Sequence, residues 1–331
     1  MSSIPILWIL IIVIAIFVLV RLYFTLTSAR CKSKVTLVGK TALVTGGSSG
    51  LGYQLGLELA SRGCRVILAQ RSTHEKLRET LIEETNNPNT FLEHVDMSSF
   101  DSVRDLAERL KSTVTKLDIL INNAGVGNGP DILTKDGLSH TWQTNYYSPF
   151  LLTHLLVDLL KNSEAGRIIF TSSITAYFHS IHVEDKDDDR IKASFKFLDY
   201  ANTKFLAIFA ADYFAKKLKE SNITCNSYHP GIVETPIFQR TANYYRGVMD
   251  FIVLWAVLFL KMFSEKNVEE GVQTALHLAI SKKVSNVSGK FFMEATPCFK
   301  PRGANNKKFR EKVWKTTEKV VGLKPDEKLA L

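Results

Sequence analysis

Short apolar runs recur between longer segments of helical periodicity, and this alternation constrains the chain more than any other feature of its sequence. Residues 41–45 (TALVT), 65–69 (RVILA), 118–122 (DILIN) and 167–171 (RIIFT) read as strands that are apolar on both faces. Residues 50–62, 102–114 and 138–160 instead carry apolar side chains at helical spacing. Strands buried on both faces need helices on each side, and parallel neighbours need crossover connections. The pattern therefore predicts an α/β fold, a doubly wound parallel sheet whose ligands bind beyond the carboxyl ends of the strands.

Composition agrees with one large domain. Hydrophobic residues make up 45% of the 331 and charged ones 23%, enough to bury a core and too apolar for disorder. The net charge of +9 would suit nucleic acid, but no zinc-finger, homeodomain or RNP-type motif accompanies it, so no nucleic-acid partner is expected. An anionic membrane surface accounts for the excess more simply. Cys31, Cys64, Cys225 and Cys298 are scattered without metal-ligand spacing, which points to a reduced compartment and no metal.

From Ile4 to Val20 no charge interrupts the chain, and Arg21 closes a 17-residue run near the lower limit for a spanning helix. Leu22, Tyr23 and Phe24 extend it into an interface, giving an anchor over residues 1–24. A cleaved signal peptide is the competing reading, because Thr27-Ser28-Ala29 resembles a cleavage site. No basic residue precedes the run, which argues for the anchor. Arg21, Arg30, Lys32, Lys34 and Lys40 follow it, so the positive-inside bias puts the rest of the chain in the cytosol, on a single-pass anchor. Residues 25–38 are then a basic linker, 39–300 the folded domain and 301–331 a basic extension. The sequons at Asn222 and Asn286 would matter only in the opposite orientation.

Gly46, Gly47, Ser48, Ser49, Gly50, Leu51 and Gly52 follow the first strand and open a helix. Glycines at 46, 50 and 52 allow a tight turn and close approach to a pyrophosphate, which the helix amino terminus stabilises. At the end of the second strand a carboxylate would select NAD by binding the ribose hydroxyls. Gln70 and Arg71 stand there instead, and an arginine there suits the 2′-phosphate of NADP(H). Asp96, after the third strand, is placed either to meet an adenine or to cap the helix that begins near Ser98.

Tyr200 and Lys204 share one helix face at a spacing of four. A phenol is a poor proton shuttle at neutral pH unless a nearby ammonium stabilises its anion. Tyr213 and Lys217 repeat the spacing, but at about 100° per residue they point to another face. Ser173 closes the strand at 167–171 where a hydroxyl could orient a substrate oxygen, with Ser172 as its rival. Asn122, Asn123, Ala124 and Gly125 end the preceding strand, and Asn145 interrupts a helix in which it is a poor former, so a structural or relay role suits it.

These motifs, T-G-x-x-x-G-x-G at 45–52, N-N-A-G at 122–125, Ser173, Y-x-x-x-K at 200–204 and Pro230-Gly231, resemble the short-chain dehydrogenase/reductase family in type and order. The resemblance spans roughly 39–293. It implies a Rossmann-type domain with about seven parallel strands. Tyr200 would then be the general acid/base, Lys204 would bind the nicotinamide ribose and lower the tyrosine pKa, Ser173 would hold the carbonyl, and Asn145 would support a proton relay. Thr235 matches the position that contacts the carboxamide. The anchor, Arg71, the long excursion from Ser173 to Tyr200 and the final stretch through Val320 and Gly322 are most similar to membrane-bound retinol dehydrogenases that prefer NADP(H). That resemblance implies an oxidoreductase of the endoplasmic reticulum or a related membrane, acting on a lipophilic alcohol or carbonyl compound. A steroid or fatty-acyl carbonyl reductase shares every catalytic residue, and an inactive NADP(H)-binding scaffold is the rival of another class. A homo-oligomer is compatible with the chain.

Two departures border the expected substrate entrance, namely the acidic run 183–190 (VEDKDDDR) and the apolar segment after Thr235. Within the lid region 236–265, residues 251–260 (FIVLWAVLFL) are too short to span a bilayer of about 30 Å and suit a lid, a membrane-dipping helix or a core helix. Arg302, Lys307, Lys308, Arg310, Lys312 and Lys315 form a basic patch suited to anionic headgroups or to a solvated tail.

Overall fold

The computed structural model of the chain describes residues 4–129, 132–182, 191–195, 198–233, 261–262, 264–304 and 306–329. Thr235, the acidic run 183–190 and the apolar stretch 251–260 lie outside the described residues. Strands β1 (Thr41–Thr45), β2 (Arg65–Gln70), β3 (Thr90–His94), β4 (Ile119–Asn122), β5 (Gly166–Thr171), β6 (Ile223–Tyr228), β7 (Phe291–Met293) and β8 (Thr296–Cys298) form one sheet. Their order is β3-β2-β1-β4-β5-β6-β7-β8. The first seven in sequence are parallel, as expected from strands such as TALVT, whose side chains are buried on both faces.

The eighth strand corrects the expectation of an all-parallel sheet: β8 pairs antiparallel with β7. Glu294 and Ala295 link the two strands with φ of 48° and 55°, the left-handed values of a two-residue hairpin turn. Such turns are announced in sequence by Asn-Gly or Asp-Gly, and Glu-Ala gives no such cue.

The helices of eight or more residues are α1 (Ile4–Thr27), α2 (Gly50–Ala60), α3 (Glu75–Thr85), α4 (Phe100–Thr113), α5 (Ser148–Lys161), α6 (Asp199–Lys217), α7 (Gln273–Ile280) and α8 (Lys307–Val320). Alternate residues of β1 enter opposite layers. Leu43 packs with Leu106, Phe150, Phe209 and Trp314 from α4, α5, α6 and α8, while Ala42 and Val44 pack with Leu55, Leu81 and Leu276 from α2, α3 and α7. The sheet is thus covered on both faces. Strand order reverses between β1 and β4, so their carboxyl ends open a crevice at the topological switch point.

Two local expectations change. The helix read at 138–160 begins as a turn at His140–Trp142 and passes through a π-helical stretch, Gln143–Tyr147, before α5. Ser99, whose side chain accepts from the Ser102 N–H, caps α4 in place of Asp96. In the second tyrosine–lysine pair Tyr213 is buried and stacks on Trp314 with ring centres 4.5 Å apart, while Lys217 is only half-buried.

Helix α1 is continuous over 24 residues, although the side chains at 4–7, 9, 10 and 13 lie outside the described set. Among the described residues no helix is long and apolar enough to cross a membrane. Most of the described apolar side chains of α1 are nonetheless exposed, Trp8 by 60% and Leu19 by 64%, while Phe17 and Val20 are half-buried.

Candidate active site

The glycine-rich turn and the 122–128 loop interlock at the switch point. Gly46 has φ +73°, and a Cβ there would lie 2.9 Å from the Ala124 Cα. A Cβ at Gly52 would collide with the Gly46 carbonyl oxygen and lie 2.7 Å from Asn123 Nδ2. Thr45 joins the two loops, because its hydroxyl oxygen accepts from the N–H groups of Asn123 and Ala124, each at 3.0 Å. Asn123 Nδ2 donates back to the Thr45 carbonyl at 3.0 Å. Ser48 and Ser49 are exposed, and the Ser49 side chain makes no capping bond at the start of α2. The helix amino terminus consequently faces the crevice with N–H groups that side-chain capping does not consume, as an anion site requires. Leu51 is half-buried in the layer beneath.

At the neighbouring strand ends, Arg71 is exposed, and its charge reaches both Asp96 and His140. Burial raises the Asp96 pKa, but hydrogen bonds from the Ser98 hydroxyl and N–H, aided by Arg71, leave the carboxyl below its ordinary range. Burial, reinforced by Arg71, lowers the His140 pKa. Gln70 turns inward, and its amide donates to the Ser72 carbonyl at 2.8 Å.

The candidate acid–base groups gather where β5 meets α6. Lys204 is buried, its ammonium donates to the Thr171 carbonyl at 3.0 Å, and it lies 5.4 Å from the centre of the Tyr200 ring. Burial, with no carboxylate paired to it among the described residues, lowers its pKa from 10.5 to about 8. Ser172 donates to the Lys204 carbonyl at 2.6 Å, so it ties strand to helix, whereas Ser173 accepts from the Thr175 N–H and keeps its hydroxyl proton to donate. That separates the two serines. The Tyr200 N–H donates to Asn128 Oδ1 at 2.9 Å.

Asn145 sits in the middle of the π-helical stretch. Its Oδ1 accepts from the Val126 N–H at 2.8 Å, and its Nδ2 donates to the Val126 carbonyl and the Thr203 hydroxyl. The amide is therefore committed to holding the 122–128 loop against α6. A Cβ at Gly125 would stand 3.4 Å from both Asn145 Oδ1 and Lys204 Nζ, so loop, π-helix and α6 converge on one point. Pro230 and Gly231 follow β6, and Gly231, at φ +94°, leaves room for the stem of Lys266.

The structure thus brings Tyr200, Lys204, Ser173, Asn145 and Gly125 to the carboxyl edge beside the glycine turn. Sequence reasoning missed Thr45 as the staple between loops and Asn128 as the support beneath Tyr200. Thr45 opens the glycine motif and offered a cue, whereas Asn128 lies 72 positions from its partner and offered none.

The buried ammonium makes stability depend on pH. Below about pH 8 both folded and unfolded chains hold the Lys204 proton; above it the folded chain releases it while an unfolded lysine keeps it until near 10.4. Stability of the ligand-free protein should rise across that window, by an amount on the order of 3 kcal/mol from this group. Denaturant titrations of wild type and Lys204→Met at several pH values check this, and an equal pH slope in both would contradict it.

The short chain dehydrogenase profile matches residues 40–185. The chain is 33% identical to retinol dehydrogenase 13 of Mus musculus, over 88% of this chain and 87% of that one. It is 32% identical to retinol dehydrogenase 12 of the same organism, over 91% and 95%. Among solved structures, a short chain dehydrogenase of Shigella flexneri complexed with NADP shares the fold at a TM-score of 0.59 and 23% identity, covering 80% of this chain and all of that one. An uncharacterised protein of Mycobacterium paratuberculosis does so at 0.67 and 23%, covering 92% and 100%. With that degree of identity running nearly end to end, and with the glycine turn, Ser173, Tyr200 and Lys204 gathered at one sheet edge, the chain belongs to the short chain dehydrogenase family.

Proposed function

We propose that the protein is an NADP(H)-dependent oxidoreductase that interconverts a lipophilic alcohol and its aldehyde or ketone, with retinol and retinal as the first pair to test. The observation that carries this reading is the buried Lys204 ammonium beside the Tyr200 ring, at the strand end that also holds Ser173. The crevice suits a dinucleotide, because glycines at 46 and 52 let the turn pack tightly against the 122–128 loop and the start of α2 carries no side-chain cap, which leaves its N–H groups for a pyrophosphate. When bound, the nicotinamide supplies or accepts the hydride.

The chain's own residues handle the proton. Ser173 donates a hydrogen bond to the substrate oxygen and favours the charge that develops there. Tyr200 gives its phenolic proton to that oxygen in reduction and takes it back in oxidation. Lys204 stabilises the phenolate and uses its remaining N–H groups on the ribose, while Asn145 keeps loop and helix in register. Thr235 would meet the carboxamide.

Arg71 and the missing carboxylate support NADP(H) over NAD(H). Arg71→Glu is expected to raise the KM for NADPH by about tenfold or more and leave that for NADH little changed, because one charge-assisted pair is lost. Equal effects on both cofactors in steady-state assays would refute the assignment.

The uncharged run 4–20, the exposed apolar side chains of α1 and the basic residues behind it support an anchor in the endoplasmic reticulum or a related membrane, with the catalytic part in the cytosol. In liposomes the protein should oxidise NADPH with all-trans-retinal. Turnover of steroid ketones or long-chain aldehydes instead would select the reductase alternative. Nucleotide binding without turnover of any carbonyl compound would favour the scaffold.

A further inference from the structure

We propose that the carboxyl edge of the sheet docks onto an anionic lipid surface through Phe178, Phe299, Arg302 and Lys307, so that a lipophilic substrate passes from lipid to the site without crossing bulk water. The inference rests on the membrane reading of α1 and adds which side of the domain faces the lipid.

The connection between α1 and the domain supplies the first argument. Arg21 Nη1 donates to the Glu265 carbonyl at 3.2 Å, and Glu265 pairs with Ile232, directly beyond Pro230 and Gly231 at the end of β6. The Ala29 N–H donates to Glu294 Oε2 at 2.7 Å, in the turn that follows β7. The other oxygen of that carboxylate holds Lys266 Nζ at 2.5 Å, and the stem of Lys266 lies against Gly231. Both fastenings are at the carboxyl edge. A helix embedded in lipid and held there brings the catalytic edge toward the membrane, whereas attachment at the opposite edge would turn it away.

The second argument is what that edge exposes. The short helix Ile174–Phe178 starts at the residue after Ser173 and ends in Phe178, which is 69% exposed. Phe299 is 91% exposed, and the Tyr177 hydroxyl donates to its carbonyl oxygen, so the two segments lie together. A single exposed phenylalanine is ordinary, but two on adjoining segments at the mouth of a site suit insertion into an acyl boundary.

Charge supplies the third. His179 Nε2 lies 2.9 Å from the Arg302 carbonyl oxygen, which places Arg302 beside the same turn. Arg302 and Lys307 are exposed and form no ion pair among the described residues. Their neighbours Lys300 and Arg310 are both committed to Asp212, at 2.7 and 3.0 Å. Arg302 beside the exposed aromatic turn, with exposed Lys307 five residues on at the start of α8, fits anionic headgroups above an apolar layer.

The test uses the full chain in vesicles of phosphatidylcholine alone or with phosphatidylserine. Amide hydrogen exchange in residues 174–179 and 299–303 should be slower with phosphatidylserine present, and Phe178→Ser with Phe299→Ser, or Arg302→Glu with Lys307→Glu, should abolish the difference while α1 keeps the protein on the vesicles. In the same vesicles either double substitution should lower kcat/KM for a bilayer-dissolved long-chain aldehyde by roughly fivefold and leave a short water-soluble aldehyde unaffected. Exchange that ignores lipid charge, or variants that slow both aldehydes equally, would overturn the docking surface. An unsubstituted protein that turns over neither aldehyde would instead overturn the oxidoreductase reading, and the exchange result would still decide the surface.

Discussion

Tyr200→Phe is expected to lower kcat for carbonyl reduction by about a thousandfold, with nucleotide affinity and unfolding temperature nearly unchanged. The substitution removes one oxygen and keeps the ring, so the contact between the ring and the Lys204 ammonium survives. So does the hydrogen bond from the residue-200 N–H to Asn128, because it belongs to the backbone. What disappears is the proton donor, and positioned acid–base catalysis is worth about 10² to 10⁴ in rate. A thousandfold corresponds to about 4 kcal/mol of barrier. Stopped-flow or steady-state NADPH oxidation, alongside a binding titration, makes the comparison. A variant that keeps more than a tenth of wild-type turnover would remove Tyr200 from the chemistry.

Gly52→Ala should abolish measurable nucleotide binding and also destabilise the fold. The added Cβ would overlap the Gly46 carbonyl and press on Asn123 Nδ2, two groups held by the Thr45 staple and therefore unable to retreat independently. Overpacking of this kind costs about 1 to 3 kcal/mol, more when backbone must move. Gly129→Ala is the matched control, because nothing lies within 4 Å of its Cβ position. Thermal unfolding together with fluorescence titration of NADPH separates the two effects. Equal behaviour of both variants would mean that the turn is not the nucleotide cradle.

Much of the proposed catalytic group stands out in the sequence because its spacing is local. The pair at 200 and 204 is four residues apart on one helix, and the turn at 46–52 lies between a strand and a helix. Neither needs knowledge of what packs against it. The choice between Ser172 and Ser173 was not legible, since adjacent residues point to opposite sides and only the bond from Ser172 to the Lys204 carbonyl shows which one is spent on structure. Asn145 was legible as an anomaly but not as a clamp, because its partners Val126 and Thr203 are distant in the chain. The antiparallel β8 escaped notice because its turn places Glu294 and Ala295 in left-handed conformations, which these residue types do not announce.

The amino-acid sequence by itself determined the layered α/β architecture, the glycine turn between strand and helix and the tyrosine–lysine pair, since hydrophobic periodicity and short motifs act over a few residues. Tertiary structure alone decided that the 122–128 loop joins the glycine turn to α6, and that Lys204 is buried with a lowered pKa. It also decided that α1 and the residues after it are fastened at the carboxyl edge of the sheet through Glu265 and Glu294. Burial and long-range hydrogen bonds depend on which segments meet, and that is a property of the folded chain.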